Sequence, residues 1–349
     1  MVAANAPDVD VLSYVRGQYF ALAFRRGITH GVPALLLWPF VIAGAMLAWD
    51  RFVRRRREPS AEPARFQPLL LLAAIGVLTH PALDWLNTYG MRWWLPFDPS
   101  WSYGDSLFII DPWLWLMLGG AAALAGARSR GAAVGWGALA TVTTLPIVLS
   151  GMVPVVARVV WAGGIAAVGA AWALGRPAGE AARVLTARAL TAAAALYIAA
   201  MVVSHRAGVS ETSFALSGWN MQVRERIMIA PLPARPFRSD VLIATQGGFF
   251  PGTLDWTADQ RVTLHPERAV TWMTIADDVG EQEARTALIA ARLDPDVANY
   301  LVWSRFPMWR VERSPGGLRV TVGDARYTQR TGGLSGLSVE LHGRTGTGP

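Results

Sequence analysis

His80 and Asp84 stand four residues apart in Thr79-His80-Pro81-Ala82-Leu83-Asp84, inside an otherwise apolar stretch. On a helix that spacing puts both side chains on one face, about one turn apart. His30 immediately precedes an earlier apolar stretch, and Asp8 and Asp10 lie upstream of it. If the two stretches are successive membrane helices, all five groups arrive at one membrane surface. A His/Asp set without sulfur suits Zn, Mn, Fe or Ni. A divalent metal ion of that kind lowers the pKa of bound water and delivers hydroxide to an ester or phosphoester. His30, His80, Asp84, Asp8 and Asp10 are therefore the candidate ligands, and Asp10 is also the candidate general base for the attacking water. The plainer reading is a hydrogen-bonded His–Asp pair with no ion. Ionisable groups in or beside a membrane span are costly and usually functional, so five on one face favour the metal.

Several neighbours carry weaker signals. Arg25 and Arg26 suit lipid headgroups or an anionic substrate. Asp105 reads as a cap, a loop charge or a group near the site. Asp111 precedes Pro112 and marks a helix start, since Pro suits the first helical turn. Trp93, Trp94 and Trp101 read as an interfacial aromatic belt. His205, His265 and His342 are scattered, without spacing that argues for a site.

The elements that must position these groups are membrane helices. Hydrophobic residues make up 52% of the 349 and charged residues only 16%, against about 25% charged in soluble domains. A span needs ~20 mostly apolar residues. Residues 32–49, 68–86, 112–127, 131–150, 154–175 and 188–204 qualify, giving six spans, or five if one of the Ala-rich later stretches stays out. No secretory signal precedes the first span. There is no cysteine, which excludes disulfides and thiolate metal sites, and every one of the 32 basic residues is arginine. Much of the +7 net charge lies beside the spans, where it sets orientation, and no nucleic-acid motif accompanies it.

Arginine placement orients the helices. Residues 51–65 hold six arginines and should be cytoplasmic, whereas 87–111 hold one arginine and three aspartates and should lie outside. Arg128, Arg130, Arg176, Arg183 and Arg188 fall inside on the same scheme. The N-terminus then faces outward. With six spans the C-terminal region does too; with five it is cytoplasmic.

The expected organisation is an all-α polytopic membrane helix bundle of five or six spans with a small α+β soluble domain at its C-terminus. A polar segment, 1–31, precedes the membrane domain, 32–204. Residues 205–342 form the α+β domain. Strands are expected at 240–245, 269–275 and 338–342, and a helix at 281–293. A hairpin, 308–313 with 318–322, turns at Ser314-Pro315-Gly316-Gly317. Pro231, Pro233 and Pro236 read as breakers, and 343–349 as a disordered tail.

Ala6-Pro7-Asp8-Val9-Asp10, Arg26-Gly27-Ile28-Thr29-His30, His80-Pro81-Ala82-Leu83-Asp84, Asn87-Thr88-Tyr89-Gly90, Pro96-Phe97 and Asp111-Pro112 together resemble the YdjM-like family in its YfhP-like branch. The resemblance extends into the tail domain, at 231–240 and 306–327. It implies a LexA-binding, inner-membrane-associated, metal-dependent hydrolase, and so a multi-pass protein of the bacterial plasma membrane. Two departures stand out. Family members usually begin with a further segment carrying a Thr-His pair, so this chain reads as starting after it. They also commonly have His where this chain has Arg25, and Ser where it has Gly31. The leading expectation is a hydrolase acting at the outer membrane face on a lipid or other amphiphile. The alternative is a non-enzymatic membrane protein with a structural His/Asp cluster and a tail domain that binds a protein partner. A transporter is weaker still, because no broken-helix inverted repeat is evident.

Overall fold

The computed structural model describes residues 2–218, 223–327 and 336–342. The tail expected to be disordered, 343–349, lies outside the described residues. A short helix α1 (Val2–Asn5) and a 3-10 segment (Pro7–Arg16) lead into α2 (Gln18–Phe24). Helix α3 (Val32–Trp49) passes through a π-helical turn (Asp50–Arg54) into α4 (Arg55–Arg57). Then follow α5 (Phe66–Trp85), α6 (Pro112–Gly126), α7 (Arg130–Leu149), α8 (Val155–Ala178) and α9 (Glu180–Ser217). Five helices are long and apolar enough to cross a membrane, and α6 is a shorter apolar helix. Their exposed faces are lined with Leu, Val, Ile and Phe, as a lipid-facing surface requires.

Beyond them lie two small sheets. One contains β1 (Val223–Leu232), β2 (Arg235–Thr245), β3 (Gly248–Asp255) and β4 (Val262–Leu264) in that order, with β5 (Val270–Thr271) also on β3. The other orders β6 (Met273–Ile275), β7 (Pro307–Ser314), β8 (Gly317–Asp324) and β9 (Gly336–His342). Helices α10 (Glu281–Ala291) and α11 (Pro295–Trp303) link β6 to β7, which pair in parallel as such a crossover allows. Tyr300, Trp303, Val311 and Val320 form the centre of this half.

The β7–β8 hairpin turns where the Ser-Pro-Gly-Gly sequence predicts, with Ser314 opposite Gly317. Two features differ from expectation. Pro231 and Pro236 lie within paired strands rather than breaking them, and the turn falls between, at Pro233-Ala234. Strand β1 is at the sheet edge, where a missing N–H is tolerated. Helix α9 also continues past the expected boundary at 204 to Ser217. Its buried Gly208, Thr212 and Leu216 recur every four residues and pack on the first sheet, so tertiary contact extends the helix after its hydropathy falls.

The tail half sits directly on the 87–111 loop. Arg305 Nη1 donates to Asp105 Oδ2 at 2.7 Å, Trp101 Nε1 to the Val302 carbonyl at 2.6 Å, and Arg326 Nη1 to the Thr88 carbonyl at 2.8 Å. Trp101 is thus a docking residue, not part of an interfacial belt, whereas Trp94 remains exposed. Two regions in contact lie on one side of a membrane. The chain therefore crosses an even number of times between them, which includes α6 where α7, α8 and α9 each span. At ~1.5 Å per residue α6 is about 22 Å long, short of a ~30 Å hydrocarbon core, and local thinning makes up such a mismatch. This geometry favours six crossings over five.

Asp324 anchors the docked half. It is fully buried, and its carboxylate accepts from Ser304, from the Arg305 and Phe306 amides, and from Arg326. Burial alone would raise this carboxyl, but the charge and hydrogen bonds of Arg326 outweigh it and hold it at about 2. Its contribution to stability is therefore complete above the ordinary carboxylate pKa and disappears only as pH falls through about 2. Asp324→Ala leaves Arg326 buried without its partner and should destabilise the domain by about 3–5 kcal/mol in denaturant unfolding. Thiol labelling in intact cells checks the crossings, since the native chain has no cysteine. Asp98→Cys and Ile289→Cys, both exposed, should react with an impermeant reagent from outside and Arg56→Cys should not. Opposite behaviour at positions 98 and 289 would refute the docking geometry.

Candidate metal centre

The site is built by four local elements meeting at one end of α3 and α5. His80 and Asp84 occupy the last turns of α5. The carbonyls that end this helix are taken up by the following loop: the Gly104 amide donates to Trp85 O, and the Ser106 and Leu107 amides to Leu86 O. A Cβ on Gly104 would stand 2.7 Å from the Trp85 carbonyl oxygen, so this close approach requires glycine. The N-terminal segment lies along the opposite flank. A Cβ on Gly76 of α5 would meet Ala3 at 3.0 Å, which sets how closely α1 can pack on α5. Arg26 turns the chain between α2 and α3 with φ +52°, and His30 follows immediately before α3.

Asp8, His30, His80 and Asp84 each bring a ligand-type atom into one cluster, all within 4.8 Å of one another. Imidazole and carboxylate alternate around it. His30 Nε2 lies 3.7 Å from Asp8 Oδ1 and 3.6 Å from Asp84 Oδ2. His80 Nε2 lies 3.6 Å from Asp8 Oδ2 and 3.5 Å from Asp84 Oδ2. These separations are too long for hydrogen bonds, and both buried Nε2 atoms lack a hydrogen-bond partner. They do match the spacing between ligands that share a metal, about 3–3.6 Å for bonds of 2.0–2.2 Å. A divalent ion fits this donor set.

Asp10 is not among the four. It is 2% exposed and lies behind His30, with Oδ2 3.2 Å from Nδ1. The same oxygen accepts from the Arg26 amide at 2.9 Å and the Thr29 hydroxyl at 3.2 Å, while Oδ1 accepts from Arg25 Nε at 3.2 Å. Asp10, expected as a ligand or base, stands against the far nitrogen of His30 rather than among the four converging groups. The reason is local: two residues apart on a 3-10 segment, Asp8 and Asp10 face different sides of His30.

The arginines hold carboxylates in place. Arg25 Nη2 pairs with Asp8 Oδ1 at 3.0 Å as well as reaching Asp10. Arg26 Nη2 pairs with Asp84 Oδ1 at 2.9 Å, its Nη1 donates to Asn87 Oδ1 at 2.8 Å, and its guanidinium lies 4.5 Å from the centre of the Tyr89 ring. Neither is directed at lipid. The neighbouring His30 imidazole is the main influence lowering the Asp8 carboxyl to about 2. Burial would raise Asp10 and lower His30, but their mutual contact, with further charges around each, moves both the other way. The cluster therefore favours ionised carboxylates.

Two expected neighbours lie elsewhere. Asp105 pairs with Arg305. Asp111 caps α6, accepting from the Trp113 and Leu114 amides, and also accepts from the Tyr197 hydroxyl at 2.8 Å. Thr29 and Asn87 stand in the motifs quoted above without a role assigned to them, and Arg92 was not singled out by the sequence. Asn87 lies three residues past Asp84, and that spacing is the signal that could have found it. Arg92 donates to the carbonyls of Ala23, Phe24 and Arg25, fixing the end of α2. Its partners have no fixed sequence offset to reveal it.

Residues 1–155 match the model of the YdjM inner membrane protein family. Residues of this chain are also 25% identical, over 116 positions, to the uncharacterized protein YfhP of Bacillus subtilis (strain 168). That alignment covers 33% of this chain and 32% of the relative, so it spans about a third of either protein. No solved structure matches. The matched region contains all four converging side chains, the residues that orient them and the first helices of the bundle. The chain is thus a multi-pass inner-membrane protein whose first 155 residues are similar to the YdjM inner membrane protein family.

Proposed function

We propose that the protein is a membrane-bound, metal-dependent hydrolase, with Asp8, His30, His80 and Asp84 as ligands at the outer membrane face. The observation that carries this reading is the pair of buried, unbonded Nε2 atoms, each set between the same two carboxylates. When bound, a divalent ion supplies Lewis acidity and makes hydroxide available near neutral pH. The chain's own residues prepare the site for it. Asp10 accepts the Nδ1 proton of His30 and so turns the Nε2 lone pair toward the cluster. Arg26 occupies Asp84 Oδ1 and leaves Oδ2 facing both histidines. Asp8, with 39% of its side chain exposed, is the most exposed of the four, and its lowered carboxyl keeps it ionised for the ion. Asp10 is poorly placed as a general base, because donors already occupy both of its oxygens.

Asp8, His30, His80 and Asp84 would hold the ion, and this set of nitrogen and oxygen donors without sulfur suits Zn, Mn, Fe or Ni.

Metal content per chain tests the reading. His30→Ala, His80→Ala and Asp84→Ala should each remove most bound metal from protein that remains inserted and monodisperse. Asp10→Asn should weaken affinity by about 10–100-fold, as loss of an orienting partner does. Asp111→Ala should leave metal content unchanged. Wild-type protein that takes up none of Zn, Mn, Fe or Ni would end the metal hypothesis. Uptake without hydrolysis of ester or phosphoester substrates would leave the cluster as a structural clamp.

A further inference from the structure

A cavity of about 600 Å³ lies between α6, α7 and α8, with the end of α5 at its mouth. Its lining follows α6 from the Asp111 cap to Ala127, past the helix end. Trp136, Trp161 and Trp172 contribute to its walls, and most of the remaining lining is aliphatic or glycine. Polar side chains are few, and two of them, Asp84 and Asn87, belong to the metal centre or its support. An apolar chamber among the helices thus reaches the His/Asp cluster through Asp84, the residue they share.

Four glycines line this space, and three of them, Gly119, Gly137 and Gly169, have open space beside them. A Cβ added at any of these three would meet nothing within 4 Å. Helix α7 buries only 6% of its apolar window, the least of the five long helices, against 11–22% for the others. It is the least enclosed wall of the cavity and the one most open to the bilayer. Size selects the occupant. A helix as long as α6 and 10–12 Å across needs at least ~1,700 Å³, so neither a partner helix nor a second copy of this chain fits inside. One lipid chain falls within the 300–1,000 Å³ range of small-molecule sites. Charge selects the headgroup. Asp8, Asp10 and Asp84 against Arg25 and Arg26 leave one negative charge, and a divalent ion inverts it to one positive.

Resting on the hydrolase reading, we infer that this cavity holds the acyl chain of an amphiphile whose phosphate-bearing headgroup lies at Asp84, making the substrate class a phosphate-containing lipid. The chain is anchored between α6, α7 and α8, and the polar end meets the Asp8, His30, His80 and Asp84 cluster.

The test uses the full-length protein in nanodiscs and a palmitoyl lysophosphatidate bearing a diazirine near the end of its chain. On irradiation it should label residues 136–143 and 161–172. Unlabelled lysophosphatidate should compete, and glycerol phosphate alone should not. Gly137→Leu with Gly169→Leu should reduce labelling at least tenfold without changing metal content. Gly119→Leu, on a different helix, should do the same, so a folding defect in one variant does not decide the result. Labelling that is uncompeted and equal at the lipid-facing Leu145 and Val156 would overturn the inference, as would full labelling of properly folded glycine variants. Wild type that binds metal but shows no competed labelling refutes the cavity assignment alone. Competed labelling in a chain that binds no metal refutes the hydrolase reading and keeps the lipid site.

Discussion

Asp10 is sealed from solvent, and its carboxylate gathers four residues of one short segment around itself. It accepts from Arg25, from the Arg26 amide and from Thr29, and it backs His30. A buried carboxylate without such partners is strongly disfavoured, so the segment from 25 to 30 is obliged to wrap around it. That wrapping gives Arg26 its left-handed backbone and puts its guanidinium on Asp84. It also fixes which imidazole nitrogen of His30 faces the cluster. Removing Asp10 therefore disturbs both histidine orientation and the link between the N-terminal segment and α5.

The rest of the fold braces this arrangement from two sides. Below, α3 and α5 present His30 and the His80–Asp84 pair at the same level. Above, the tail domain rests on the loop that closes the end of α5. Tyr89 connects the two regions, with Arg26 over one ring face and Trp303 at a ring-centre distance of 5.5 Å. Tyr19 of α2 meets Tyr300 of α11 at 6.1 Å. These aromatic contacts bury area and keep the polar residues between them out of water, where electrostatic contacts are stronger.

Much of this was legible in the sequence, and the exceptions have physical causes. The His80–Asp84 pair was readable because i,i+4 spacing on a helix has one meaning and the surrounding residues are apolar. The number of helices followed from hydropathy, and α6 was readable although short because Pro112 and Asp111 mark its start. The separate roles of Asp8 and Asp10 were not readable, since they depend on the path of a 3-10 segment that has no strong periodic signal. Asp105 looked like a loop charge because its partner, Arg305, is 200 residues away. The length of α9 was hidden because its last turns are stabilised by a sheet rather than by lipid. The convergence of His and Asp side chains could be read early; which carboxylate joins the cluster and which stands behind His30 needed the chain's three-dimensional course.

The contact between Arg305 and Asp105 has a consequence for how the protein is made. The converging ligands all occur before residue 90, but the groups that pin the loop beside them come after residue 300. At ~5–20 residues per second, roughly 10–40 s of synthesis separate the two. During that interval the early helices are in the membrane while the loop still lacks its roof. The tail then folds against a surface already waiting for it. Completion of the last third is therefore a step in maturing the first third, and a chain that stops short of residue 300 would leave its early helices with an uncovered loop.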